Sequence, residues 1–137
     1  MVRHLLLFAF TLAACRQVPR PIEPAPDYGL KLISITPRPG TPLVAGRAAH
    51  FAVTVAYRLE ATDSGDVVLV VQDERGHNLL SGRPQISSGV TKGSGELTLT
   101  DSLAVPSGIR EVQLFVLLAP KGYQRVYGQI PIQFPVR

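Results

Sequence analysis

The chain has 137 residues, room for one domain of ordinary size, since single domains occupy about 100 to 150 residues. Hydrophobic residues make up 45% and charged residues 18%, enough apolar material to bury a core and too little charge for a disordered chain. The formal charge of +4 comes from Arg and Lys scattered singly, with no basic run or base-stacking motif, so it reads as solubility and not as a nucleic-acid footprint.

Arg3 gives a positive start, and residues 5–12 (LLLFAFTL) form an uncharged apolar stretch. A transmembrane helix needs about 20 apolar residues and a secretory signal core only about 7 to 15, so this is an export signal and not a span. Ala13 and Ala14 are the small residues expected at a cut, and Cys15 is the chain's single cysteine, which excludes an internal disulfide.

At Leu12-Ala13-Ala14-Cys15 the chain resembles the lipobox of bacterial lipoprotein precursors. The resemblance implies that Cys15 is diacylglycerylated, that residues 1–14 are removed as a lipoprotein signal peptide, and that the new amino terminus is acylated too, with fatty acids such as palmitate. Two or three acyl chains hold a protein stably at a membrane, so the membrane partner is reached through Cys15. Arg16, where an Asp would mark inner-membrane retention, favours the outer membrane of the cell envelope by the same resemblance; the side faced stays open.

Residues 15–29 read as the lipidated Cys and a tether, with prolines at 19, 21, 24 and 26. Proline fixes φ and removes a donor, so this is a polyproline II spacer at about 3.1 Å per residue. Pro21-Ile22-Glu23-Pro24 also fits a loose PxxP ligand.

Residues 30–137 carry about seven strand-like runs in a length close to that of an immunoglobulin-type sandwich, which predicts a single all-β antiparallel domain. The first run is 32–35. In 50–59, Phe51, Val53, Val55, Tyr57 and Leu59 alternate with polar or small residues, the period of a strand with one face on a core. A polar turn over 62–65, a strand over 66–72, a turn over 73–78 and a short strand near Leu79 and Leu80 follow. An irregular edge is expected at 83–90, and strands at 96–100 and 111–119. Ala119-Pro120-Lys121-Gly122 predicts a hairpin turn into a last strand over 123–134. Pro131 and Pro135 share one parity there, which marks an edge strand. The predicted core is Phe51, Val53, Val55, Leu97, Leu99, Val112, Leu114 and Val116. This succession resembles the immunoglobulin or fibronectin III-like modules of bacterial surface proteins, although the core Trp and paired Cys of true immunoglobulin domains are absent.

Chemistry-bearing residues are sparse. After Cys15 only His50 and His77 remain as histidines, no G-x-S-x-G elbow accompanies them, and neither has a second His or Cys at metal-ligand spacing. Asp63, Asp66, Asp73 and Glu74 read as solvated turn carboxylates without EF-hand spacing. No enzyme, metal or cofactor is expected. One feature departs from a sandwich pattern: 67–71 (VVLVV) and 112–118 (VQLFVLL) are apolar on both parities. Val68, Val70, Phe115 and Leu117 would then form an outer apolar patch, which marks either an interface for an envelope protein or second copy, or a surface covered by this chain itself. The leading expectation is a non-catalytic interaction or assembly module. The alternative is a carbohydrate-binding or adhesive module, built on a platform of Tyr28, Tyr123 and Tyr127.

Overall fold

The computed structural model describes residues 29–80, 86–122, 126 and 128–137. Among them are five strands: β1 (Leu30–Thr36), β2 (Ala48–Asp73), β3 (Ile86–Ala104), β4 (Glu111–Pro120) and β5 (Gly128–Pro135). All pairings between these strands are antiparallel, and an isolated parallel bridge joins Leu43 to Val136.

β2 organises the molecule because it belongs to two layers. Its residues 48–59 pair with residues 93–104 of β3 and, over 52–57, with β1, while its residues 64–69 pair with residues 86–91 of β3 and its residues 65–73 with β4. β5 pairs on the far side of β4. Among the described residues one layer therefore holds the first, second and fifth pairing segments and the other the third, fourth, sixth and seventh.

Alternation explains which side of each layer is core. Phe51, Val53, Val55 and Leu59 from one layer and Val67, Leu69, Val71, Val112, Leu114, Val116, Leu118 and Phe134 from the other are at most 2% exposed. The layers meet where the Phe51 and Phe134 rings lie 5.3 Å apart, tilted by 49°. Of the predicted core positions only Leu97 is half-buried, on the flank of its layer.

The expected turn over 62–65 does not reverse the chain. Pairing of β2 with β3 slips between Leu59 and Ser64, a bulge that bends and twists a strand without ending it. Two glycines permit it. Gly93, opposite Leu59, has a φ of 112°, which other residues rarely adopt. Gly65 is needed for closeness: a Cβ there would lie 2.8 Å from the Ala119 carbonyl oxygen. In the same way 86–90, the part of the expected edge within the described residues, joins 96–100 in one strand, so the seven segments are carried by five strands.

One further element differs from expectation. Leu79 and Leu80 form no strand; a lone bridge between Gln72 and Asn78 precedes them, and the Leu80 amide is capped by Asn78 Oδ1 at 2.9 Å. The last strand is described over Gly128–Pro135, and residues 123–125 and 127 of the expected run lie outside the described residues. As expected from its prolines, β5 ends the run β1-β2-β4-β5. Its outer carbonyls are used nevertheless: Gln133 accepts from the Gly40 amide at 2.9 Å and Pro135 from Leu43 at 2.8 Å. Proline costs nothing there, because the covering segment supplies the donors.

Candidate functional site

Within the four-segment layer, residues 65–73 of β2 pair with β4, so their outward side chains meet those of β4 directly. Val68 stands opposite Leu117 and Val70 opposite Phe115. All four are half-buried, while Val67, Leu69 and Val71 between them are fully buried on the inner face. Pairing with β5 adds Gln129 beside Leu117 and Pro131 beside Phe115.

The result is a shallow open groove of about 240 Å³ lined by Val70, Gln72, Phe115, Leu117, Val126 and Gln129. Val126, just before β5, is 46% exposed. A row of Gln72, Gln113 and Gln133 crosses one end. The Gln113 Nε2 donates to Glu111 Oε1 at 2.6 Å. The floor is apolar, and the groove's own polar residues, Gln72 and Gln129, are uncharged. The opposite layer shows what an ordinary solvent face looks like in this protein: Thr54 and Thr98 hydroxyls lie 2.7 Å apart, and His50 Nδ1 lies 2.6 Å from Ser102 Oγ.

No family model matches the chain, and no curated protein does. Its fold does recur among solved structures. It is similar to part of a putative β-galactosidase from Bacteroides fragilis, with a TM-score of 0.50 and 12% identity over 77% of this chain and 15% of that one. A β-glucosidase from Listeria innocua, solved in complex with glucose, gives 0.43 at 15% identity over 78% of this chain and 15% of that chain. A PapD-like domain of human CEP192 gives 0.42 at 13% identity, covering 98% of this chain and 96% of that one. The chain thus spans about 15% of the length of these glycosidases. At such identities the likeness is one of β-rich fold alone.

The other titratable cluster holds the fold together. Asp73 is 5% exposed, and its Oδ1 accepts from the Arg75 amide at 2.8 Å and the His77 amide at 2.9 Å. Its Oδ2 meets His77 Nδ1 at 3.0 Å. Burial opposes ionisation of this carboxyl, but the His77 and Arg75 hydrogen bonds outweigh it and hold its pKa below the ordinary value. Glu74 is likewise depressed, first by its own backbone amide, against burial, and then by the Arg110 and Glu111 amides, which donate to Oε2. These two are therefore not the solvated turn carboxylates expected. Asp73 closes the turn after β2, and Glu74 ties that turn to the start of β4.

Because both pKa values are lowered on folding, the stability these groups contribute is present above the ordinary values of 3.8 and 4.5 and lost as pH falls through the folded ones. The melting temperature of wild type should fall steeply in that acid window. An Asp73→Asn, Glu74→Gln variant should melt lower at neutral pH and show a flatter acid profile; equal acid slopes in the two proteins would refute the assignment.

Among the described residues no three His, Cys, Asp or Glu side chains gather at metal-ligand distance. Cys15 and the three platform tyrosines, Tyr28, Tyr123 and Tyr127, lie outside the described residues. Sequence reading set Gln72, Gln113 and Glu111 at the flanks of the patch but missed Gln129, which only the β4–β5 register places beside Leu117, and Val126, which precedes β5.

Proposed function

We propose that this protein is a lipid-anchored component of a bacterial cell envelope whose β-sandwich is a non-catalytic interaction module, docking another envelope protein on the face of Val68, Val70, Phe115 and Leu117. The observation that carries the reading is the groove. Val70, Phe115 and Leu117, all half-buried, line it with the exposed Val126, Val68 adjoins Leu117 on the same sheet face, and Gln72 and Gln129 supply hydrogen-bonding groups at its margin without the cost of desolvating a charge. The lipobox match at Cys15 supports the anchor, and the proline-spaced tether supports presentation of the domain away from the lipid surface.

Two measurements test it. Cys15→Ser should move the protein from the membrane fraction to the soluble fraction, and mass spectrometry of the wild-type mature protein should find lipid on residue 15; an unmodified Cys15, or residues 1–14 still attached, ends the anchor reading. Phe115 stands on the outer, half-buried face and not in the core, so Phe115→Glu should cost some stability but leave a cooperatively folded domain. The same change should weaken docking by at least about 1 kcal/mol. A photo-crosslinking residue at position 126 should capture a protein in the native membrane from wild type and not from Phe115→Glu. Capture of a glycan instead would favour the carbohydrate-binding alternative.

A further inference from the structure

Among the described residues β3 has one strand partner, β2, which both of its arms follow. The direction of its remaining backbone groups can be read from its end. Val105 donates to the Arg47 carbonyl at 3.0 Å and accepts from the Gly46 amide at 2.9 Å, so both of its polar groups face β2. Successive residues of a strand present these groups to opposite edges. Leu103, Asp101, Leu99, Leu97 and Gly95 therefore also face β2, while Ser94, Glu96, Thr98 and Thr100 turn theirs away. The Ser102 amide agrees with this phase: turned outward, it is met by its neighbour's Asp101 Oδ1 at 2.7 Å.

Two other edges of the sandwich are blunted. β5 carries Pro131 and Pro135 and is covered by hydrogen bonds from the segment that includes Gly40 and Leu43. β1 breaks register between Leu32 and Ser34. Over 94–100, β3 has no proline and no bulge, and its single charge is Glu96, so it carries few of the devices by which edges are kept from pairing.

We infer that the β3 edge over residues 94–100 pairs with the same edge of a second copy, antiparallel about a two-fold axis at Leu97. The side chains select this occupant. About that axis Glu96 lies opposite Thr98 and Ser94 opposite Thr100, each contact occurring twice, so a hydroxyl meets every carboxylate and no like charges face each other. An axis one residue earlier would set Glu96 against Glu96. Outward-facing residues then pair with outward-facing residues, as an antiparallel ladder requires. Leu97, the predicted core position that the monomer leaves half-buried, meets its own copy across a non-hydrogen-bonded pair, where side chains approach most closely. This pairing uses the opposite layer from the Phe115 groove, so either can fail without the other.

The test is the mature lipoprotein in detergent, followed by sedimentation and amide hydrogen exchange across a dilution series. The expected result is a dimer in which the Glu96, Thr98 and Thr100 amides are protected and lose protection on dilution, while the Leu97 and Leu99 amides stay protected throughout. Thr100→Pro removes an outward N–H that the monomer's ladder does not use, and Thr100→Lys places a charge on the edge without altering the backbone. Each should weaken the dimer at least about tenfold, and the conservative Thr100→Ser should not. Should Thr100→Pro misfold, Thr100→Lys still decides. A wild type that stays monomeric, a dimer whose Glu96 and Thr98 amides exchange freely, or a dimer indifferent to Thr100→Lys would overturn the inference. Protection of these amides by a foreign strand, with no dimer, would overturn the assignment to a second copy.

Discussion

Val55→Asp should unfold the domain. Val55 is fully buried, and it sits mid-way along the first arm of β2, opposite Leu32 of β1 and Leu97 of β3. The substitution forfeits about 1.5 to 3 kcal/mol of apolar burial and adds several kcal/mol for an unpaired carboxylate in the interior. Their sum is comparable to the whole stability of a domain of this size, about 5 to 15 kcal/mol. Far-UV circular dichroism and a thermal melt read the result. Val55→Ala, which leaves a cavity and no charge, should lower the melting point and keep a cooperative transition. A melt unchanged by Val55→Asp would mean that the strand presents its other parity to the core.

Gly65→Ala should destabilise by about 1 to 3 kcal/mol, the usual range for forcing atoms into a packed site. Two effects of opposite sign compete here. Alanine restricts the unfolded chain and stabilises by about 0.4 to 1 kcal/mol where the folded conformation tolerates it, and the φ of Gly65 is not in the left-handed region. The steric term wins because the obstacle is backbone: the new Cβ would lie 2.8 Å from the Ala119 carbonyl oxygen and 3.2 Å from Pro120 Cα, with the Leu59 side chain at 3.3 Å. β4 would have to move off the bend of β2. Gly89→Ala is the internal control, since its Cβ would meet only Asp66 Oδ1 at 3.9 Å; it should be neutral or slightly stabilising. Equal denaturant midpoints for the two variants would show that the bend yields more easily than its contacts suggest.

How legible this was in the sequence depends on which forces were local. The alternation in 50–59 and 111–119 identified the inner faces, because side-chain parity is fixed by the backbone whatever lies beyond it. It also implied the outer patch, as Val68, Val70, Phe115 and Leu117 could have only one place to go if their neighbours were core. Continuity was not legible. Thr62, Asp63, Ser64 and Gly65 have the composition of a reversing turn, yet ladders on both flanks carry β2 through them. What remains at that point is a bulge and one glycine chosen for its lack of a side chain. The clasp of Asp73 and Glu74 was invisible for a related reason. Its partners include the Arg110 and Glu111 amides, far along the chain and brought near only when β4 docks.

The tilted pair of Phe51 and Phe134 has a consequence for how the chain folds. Phe51 belongs to the second strand and Phe134 to the fifth, so the inner surface of β2 is completed only when β5, the last of the described strands, docks. Until then the other four strands can pair, but Phe51 and the free side of β4 stay wet and open, and such surfaces invite association between partly folded chains. The folding chain is therefore most vulnerable to association in the interval before β5 docks.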